Sequence, residues 1–239
     1  MEAYLRLATC VSAIRSFFLG ALHRFSMQVR HRLILALDVP EGARARAIAD
    51  QVRPHVDAIK VGWPLTMVGG MAVVRDLARG GYVLCDFKVA DIPTTSRLIV
   101  EQAVRAGAQG VICHGFAGED SVRACVEAAG GADVFVVTEM SHPGGSDFTG
   151  PHAEELARLA VRAGASGIVA PATRPERVKA LRGIVGSKLI LCPGVGAQGG
   201  QAADAIRAGA DGVIVGRAIY EARNPADAAR KYARELAST

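Results

Sequence analysis

The chain has 239 residues, half of them apolar and only 5% aromatic, enough for one substantial core and short of what two α/β domains ordinarily need. Lysine and arginine total 28 against 23 acids, a net charge of +5 spread along helical stretches, which suits a small anionic substrate and argues against a nucleic-acid binder. The five cysteines are odd in number and form no CxxC pair, so disulfide and zinc frameworks are not expected and a reducing, cytoplasmic setting is.

In chain order, the first segment is the compositional exception. Tyr4 to Phe25 is apolar but broken by Arg6, Arg15 and Arg24, too interrupted to span a membrane and a poor signal peptide. Residues 1–30 therefore read as an N-terminal extension, either an amphipathic helix over the bottom of the fold or a stretch upstream of a start at Met27. Residues 31–239 read as one catalytic domain.

From Arg32 onward, short β-branched apolar runs alternate with longer segments of helical period, the pattern of repeated βα units and a parallel sheet. Eight strands are expected, at 33–38, 58–62, 83–88, 110–114, 134–138, 167–171, 188–192 and 212–216. Helices are expected over 41–52, 65–79, 94–106 and 202–208, among others. Most strands are continuously hydrophobic, as when both faces are covered, and Cys85, Cys113 and Cys192 fall inside them as small buried groups. The tag Ala-Gly-Ala, one polar residue, then Gly recurs at 106–110, 163–167 and 208–212, where a helix ends and the next strand begins. An open doubly wound sheet would usually carry a glycine-rich turn after its first strand, but Leu37-Asp38-Val39-Pro40 stands there. The expected fold is a single-domain α/β (β/α)8 TIM barrel.

In such a barrel the chemistry sits where strands end and βα loops begin, so polar residues at those positions are the candidates. The third strand ends as Asp86-Phe87-Lys88-Val89-Ala90-Asp91-Ile92-Pro93. A strand period of two puts Asp86 and Lys88 on one face, which must be the barrel mouth because two charges cannot be buried unpartnered. An ion pair that merely caps the barrel would share this pattern. Asp38 ending the first strand and Lys60 near the end of the second extend it to an alternating Asp/Lys/Asp/Lys array, in which a protonated lysine is a proton donor and not a Schiff-base nucleophile. After the seventh strand comes Pro193-Gly194-Val195-Gly196-Ala197-Gln198-Gly199-Gly200, and after the eighth Gly216-Arg217, a glycine loop and a guanidinium at the two loops where barrels usually hold phosphate. Loop five, from Thr138 to Gly145, adds Ser141 and His142, and Gly144, Gly145 and Gly150 are expected to let it close over a substrate. His114 ends the fourth strand and is not counted as catalytic. No His/Asp pair has metal-like spacing along one strand or helix, so a required metal is not expected.

The Asp86-x-Lys88-x-x-Asp91 motif with its Ile92-Pro93-x-Thr95 continuation resembles the orotidine 5'-monophosphate decarboxylase family in its shorter, microbial form, over the span from Arg32 to the C-terminus. The resemblance implies decarboxylation of orotidine 5'-monophosphate to uridine 5'-monophosphate in pyrimidine biosynthesis, with no cofactor. It implies Lys88 beside the C6 carbanion as proton donor and Asp86 against the departing carboxylate. Asp38 and Lys60 then hold the ribose, Ser141 reads the pyrimidine, and Gln198 and Arg217 bind the phosphate. It further implies a homodimer in which Asp91, Ile92 and Thr95 enter the partner's site. A magnesium-assisted 3-keto-sugar phosphate decarboxylase or hexulose-phosphate synthase on the same motif is the nearest alternative, and a phosphosugar-binding barrel without turnover the next.

Overall fold

The structure, a computed structural model, describes residues 26–196 and 198–239, so the expectations for residues 1–25 lie outside the described residues. Eight parallel strands close into a barrel in sequence order: β1 (Leu33–Ala36), β2 (Ala58–Gly62), β3 (Val83–Val89), β4 (Gly110–His114), β5 (Asp133–Val137), β6 (Gly167–Val169), β7 (Leu189–Pro193) and β8 (Gly212–Val215). Leu33 pairs with Val213 and Leu35 with Val215 to seal the ring. Between and after the strands run α1 (Gly42–Val52), α2 (Trp63–Ala78), α3 (Pro93–Arg105), α4 (Glu119–Ala129), α5 (Thr149–Arg162), α6 (Pro175–Val185), α7 (Ala202–Arg207), α8 (Arg217–Tyr220) and α9 (Pro225–Ala237).

The continuous hydrophobicity of the strands resolves into two cores. Ile34, Ala36, Leu84, Ile112, Phe135, Leu191 and Ile214 fill the barrel, while their neighbours Leu35, Val83, Cys85, Val111 and Val213 face the helices. Proline opens the first turn of α2, α3, α6 and α9, where its missing N–H costs no helical bond. The three Ala-Gly-Ala tags place Gly107, Gly164 and Gly209 at φ of +96°, +83° and +110°, the left-handed step that ends each helix. β2 and β4 end where expected, β1, β5, β6 and β8 stop one or two residues sooner as the mouth loops begin, and β3 and β7 run one residue further.

Residues 26–30 are fastened to the bottom of the barrel. Met27 is buried among the interior residues and its backbone N–H donates to Asp133 Oδ2 at 2.7 Å, as does the Tyr82 hydroxyl at 2.7 Å. The Arg30 and His31 amides both donate to Asp57.

Close packing at β6 gives a direct check of the register. A Cβ on Gly167 would stand 2.3 Å from the Leu189 carbonyl oxygen and 2.9 Å from Phe135, whereas one on Gly183 of α6 would meet nothing within 4 Å. Gly167→Ala is expected to destabilise the barrel by about 2 kcal/mol or more through overpacking, and Gly183→Ala to stabilise it by up to about 1 kcal/mol through helix propensity, both read by chemical denaturation.

Candidate active site

The C-terminal ends of the strands open into a cavity of about 290 Å³, and its walls bring together most of the residues singled out in the sequence. Asp38, Lys60, Asp86, Lys88, Ser141, Pro193, Gln198, Gly216 and Arg217 all line it. Ile112, Val137, Val169 and Ile214 form its apolar floor, the top of the barrel core.

The charged array is continuous. Lys60 Nζ lies 3.6 Å from Asp38 Oδ1 and 2.9 Å from Asp86 Oδ2, and Lys88 Nζ donates to the two Asp86 oxygens at 2.8 and 2.9 Å. Lys60 and Asp86 are 6% and 8% exposed, so each depends on its neighbours for solvation. Burial alone would lift the Asp86 pKa, but the two ammonium groups outweigh it and hold the carboxyl below the usual range. For Lys60 burial works against the charge, and Asp86 followed by Asp38 outweighs it, holding the ammonium above its ordinary range.

The backbone reaches this arrangement by a route that period-two reasoning misses. The pairing of β3 with β4 shifts register between Cys85 and Val89, and Lys88 sits in the left-handed region at φ +46°. The two side chains meet through a bulge rather than along a regular strand, which is why β3 runs on to Val89. Trp63 supports the bulge, its Nε1 donating to the Phe87 carbonyl at 3.0 Å and its ring stacked 4.8 Å from that of Phe87.

Loop five is not the free lid its glycines suggest. Glu139, only 1% exposed, accepts from Arg174 Nε at 2.6 Å and Arg177 Nε at 2.9 Å, tying loop five to loop six. Arg174 also donates to the Met140 carbonyl, Arg177 to that of Gly150 at 2.8 Å, and the Thr173 hydroxyl to that of Ser141 at 2.9 Å. Gly145 serves a close backbone approach, since a Cβ there would stand 2.1 Å from the Met140 oxygen. Sequence reasoning overlooked Glu139, Arg174 and Arg177, although the run Thr173-Arg174-Pro175-Glu176-Arg177 follows a strand at the mouth and carries the signal.

At the other end of the cavity, Gly194 and Gln198 of loop seven stand beside Ser141: a Cβ on Gly194 would be 3.0 Å from the Ser141 Cβ and 3.3 Å from Gln198 Oε1. Arg217 opens α8 directly after Gly216 and makes no ion pair among the described residues. This is a guanidinium free to take an anion. Asp91, Ile92 and Thr95 do not line the cavity of their own chain; Asp91 is exposed and uses Oδ1 to accept from the Ile92 amide at 2.7 Å, and Ile92 is 66% exposed. His142 reaches the rim. Among the described residues no group of three or more His, Cys, Asp or Glu side chains is placed to hold a metal ion, and no helix is long and apolar enough to cross a membrane.

A closed parallel barrel with an alternating lysine–aspartate array on its second and third strands and an anion-ready end on its seventh and eighth defines a (β/α)8 enzyme acting on a small phosphorylated substrate. Comparison with known proteins narrows the class. The model of the orotidine 5'-phosphate decarboxylase / HUMPS family matches residues 31–232, and the chain belongs to that family. It is 58% identical over 213 residues to the orotidine 5'-phosphate decarboxylase of Methanococcoides burtonii, covering 88% of this chain and 99% of the relative, and 59% identical over 207 residues to that of Methanosarcina mazei, covering 85% and 94%. Among solved structures, the orotidine 5'-monophosphate decarboxylase of Methanocaldococcus jannaschii complexed with the inhibitor BMP superposes with a TM-score of 0.82 at 44% identity, covering 85% of this chain and 97% of that one.

His114 offers a pH test of the site's electrostatics. It is buried, its Nδ1 has no partner among the described residues, its ring lies 4.6 Å from that of Phe116, and burial followed by the charge of Lys88 lowers its pKa to about 4. Because the folded pKa lies below the unfolded one, its contribution to stability is complete above the ordinary histidine pKa and is lost as pH falls toward the folded value. Between pH 7 and pH 5 the wild type is expected to lose on the order of 2 kcal/mol more than His114→Gln in urea unfolding; equal losses would show that His114 is not the group responsible.

Proposed function

We propose that the chain decarboxylates orotidine 5'-monophosphate to uridine 5'-monophosphate and carbon dioxide, the carboxy-lyase step of pyrimidine biosynthesis, with Lys88 as the proton donor. The observation that carries this reading is the Asp38–Lys60–Asp86–Lys88 chain set in the same cavity as Ser141, Gln198 and Arg217. Breaking the bond between C6 and its carboxylate leaves the electron pair on C6, with no carbonyl to receive it. Stabilisation therefore has to come from preorganised charge, and an ammonium fixed before the reaction begins supplies it without reorganisation. Lys88 Nζ, more exposed than Lys60 and held by Asp86 alone, then delivers its proton to C6. In this reading Asp86 crowds the departing carboxylate, and the crowding is relieved as carbon dioxide leaves. Lys60, clamped between two carboxylates, and Asp38 take the ribose hydroxyls.

Arg217 and loop seven take the phosphate, with Gln198 bridging toward Ser141, which reads the pyrimidine edge. Binding energy at the phosphate is remote from C6 and can be used to close the cavity around the ring. Asp91, Ile92 and Thr95 complete the cavity of a second copy. The exposure of Trp63 (48%), Met67 (80%), Ile92 (66%), Leu98 (55%) and Phe116 (62%) on the segments after β2, β3 and β4 supports a homodimer through that face. The reaction uses no cofactor and no metal, and the enzyme works in the cytoplasm.

The test follows the ultraviolet absorbance of orotidine 5'-monophosphate in chelator. The wild type is expected to turn it over, and Lys88→Ala to lose at least about a thousandfold in kcat. Turnover that appears only with magnesium would favour the metal-assisted sugar-phosphate branch of the family. Binding of uridine 5'-monophosphate without turnover would favour a non-catalytic barrel.

The phosphate assignment is checked separately. Arg217→Ala is expected to lower kcat/KM for the nucleotide by roughly 10- to 100-fold while leaving binding of uridine, which lacks the phosphate, unchanged.

A further inference from the structure

The carbonyl of Asp91 is held by two buried hydroxyls that belong to different helices. Ser96 Oγ of α3 donates to it at 2.9 Å and Ser121 Oγ of α4 at 2.7 Å, and the two hydroxyls lie 3.0 Å from each other. Ser96 and Ser121 are 0% and 2% exposed, and neither lines the cavity. Asp91 precedes the first turn of α3, so its carbonyl lies outside the helical ladder, and no backbone N–H among the described residues reaches it. The two hydroxyls satisfy one another's burial through this one loop carbonyl, and together they fix where it lies.

The position matters because of where the loop leads. Within three residues the chain passes from Lys88, at φ +46°, to Asp91, an exposed residue whose carboxylate accepts from the Ile92 amide. Pinning the carbonyl from one side and the carboxylate from the other leaves the Asp91 peptide little freedom, while Ser96 is itself anchored by its amide to the Ile92 carbonyl at 3.0 Å. The anchor on α4 ties the same loop to the helix that follows β4.

We infer that Ser96 and Ser121 are positioning residues for catalysis, fixing the loop that presents Asp91, Ile92 and Thr95 to the partner's cavity. This rests on the reading that those three residues act across the interface. Neither serine touches substrate; both act through the backbone of Asp91, so their loss misplaces the carboxylate without removing it. A misplacement of this kind acts mainly on the reacting geometry and hence on kcat.

The test is a mutant cycle on the full chain with orotidine 5'-monophosphate, with dimerisation followed by sedimentation and folding by thermal unfolding. The Ser96→Ala, Ser121→Ala double variant is expected to lose about tenfold in kcat with KM little changed and the dimer intact, and each single variant, which keeps one hydroxyl on the carbonyl, to lose less. In an Asp91→Ala background the same two substitutions are expected to cause a clearly smaller loss, limited to the share carried by Ile92 and Thr95. An equal loss in both backgrounds, or none in either singles or double, overturns the positioning role. Undiminished kcat in Asp91→Ala overturns the cross-interface reading instead.

Discussion

A buried carboxylate between two ammonium groups is the constraint on which the rest of the site depends. Asp86 cannot remain ionised at 8% exposure without both Lys60 and Lys88, and Lys60, more deeply enclosed, cannot remain charged without Asp86 and Asp38. The four side chains therefore stand or fall together. Removing one leaves an uncompensated charge beside an apolar floor made by the top of the barrel core. The same enclosure that makes the array costly to assemble makes its field strong, because little water lies between the charges.

Holding that array requires a strained backbone, and the fold supplies its support. A lysine in the left-handed region costs on the order of 1 kcal/mol, and the bulge at Cys85–Val89 breaks the ladder between β3 and β4. What offsets this is the ion pair Lys88 makes at its end and the packing beneath it, where Phe87 is buried against Trp63 and accepts that indole's N–H on its carbonyl. Regular strand geometry would aim Lys88 elsewhere. The distortion is thus a condition of the contact, and the residues that stabilise it belong to the site as surely as those that line the cavity.

The barrel was legible because its signal is repeated. Eight apolar runs, three Ala-Gly-Ala tags and the rule that polar residues at strand ends face the mouth agree with one another, and they placed nine lining residues in one cavity. What stayed hidden depends on backbone detail or on pairs far apart in the chain. The turn at Lys88 comes from a register shift that no local pattern records. Glu139 reads as one more loop acid until Arg174 and Arg177, 35 and 38 residues on, are seen to close over it. Gly145 looks like a hinge in the sequence, yet in the fold it is the place where one backbone passes another.

These contacts divide the mouth into a fixed part and a part that answers to the substrate. Loops three, five and six are held by buried or half-buried side chains reaching across from neighbouring elements: the two serines on Asp91, the two arginines on Glu139, and Thr173 on Ser141. Among the described residues, the backbone bonds of loop seven beyond Pro193 are its own: Gly196 to Gly200 at 3.0 Å, Gly199 to Gly196 at 2.8 Å and Gly200 to Gly194 at 3.0 Å. Val195 at its base is buried in the core, so the part of loop seven that can move without breaking packing is its exposed tip at Gly196, Gln198 and Gly199, whereas loop five can move only by unpairing a buried carboxylate. Under the proposed function, closure over a bound nucleotide would fall to that tip of loop seven, with Ser141 as the fixed edge it closes against. In that reading the group that draws it in is the phosphate, the part of the substrate farthest from the bond being broken. The proposed reaction thereby puts binding and chemistry at opposite ends of one cavity, and the fixed end is the one where a small displacement would cost the most rate.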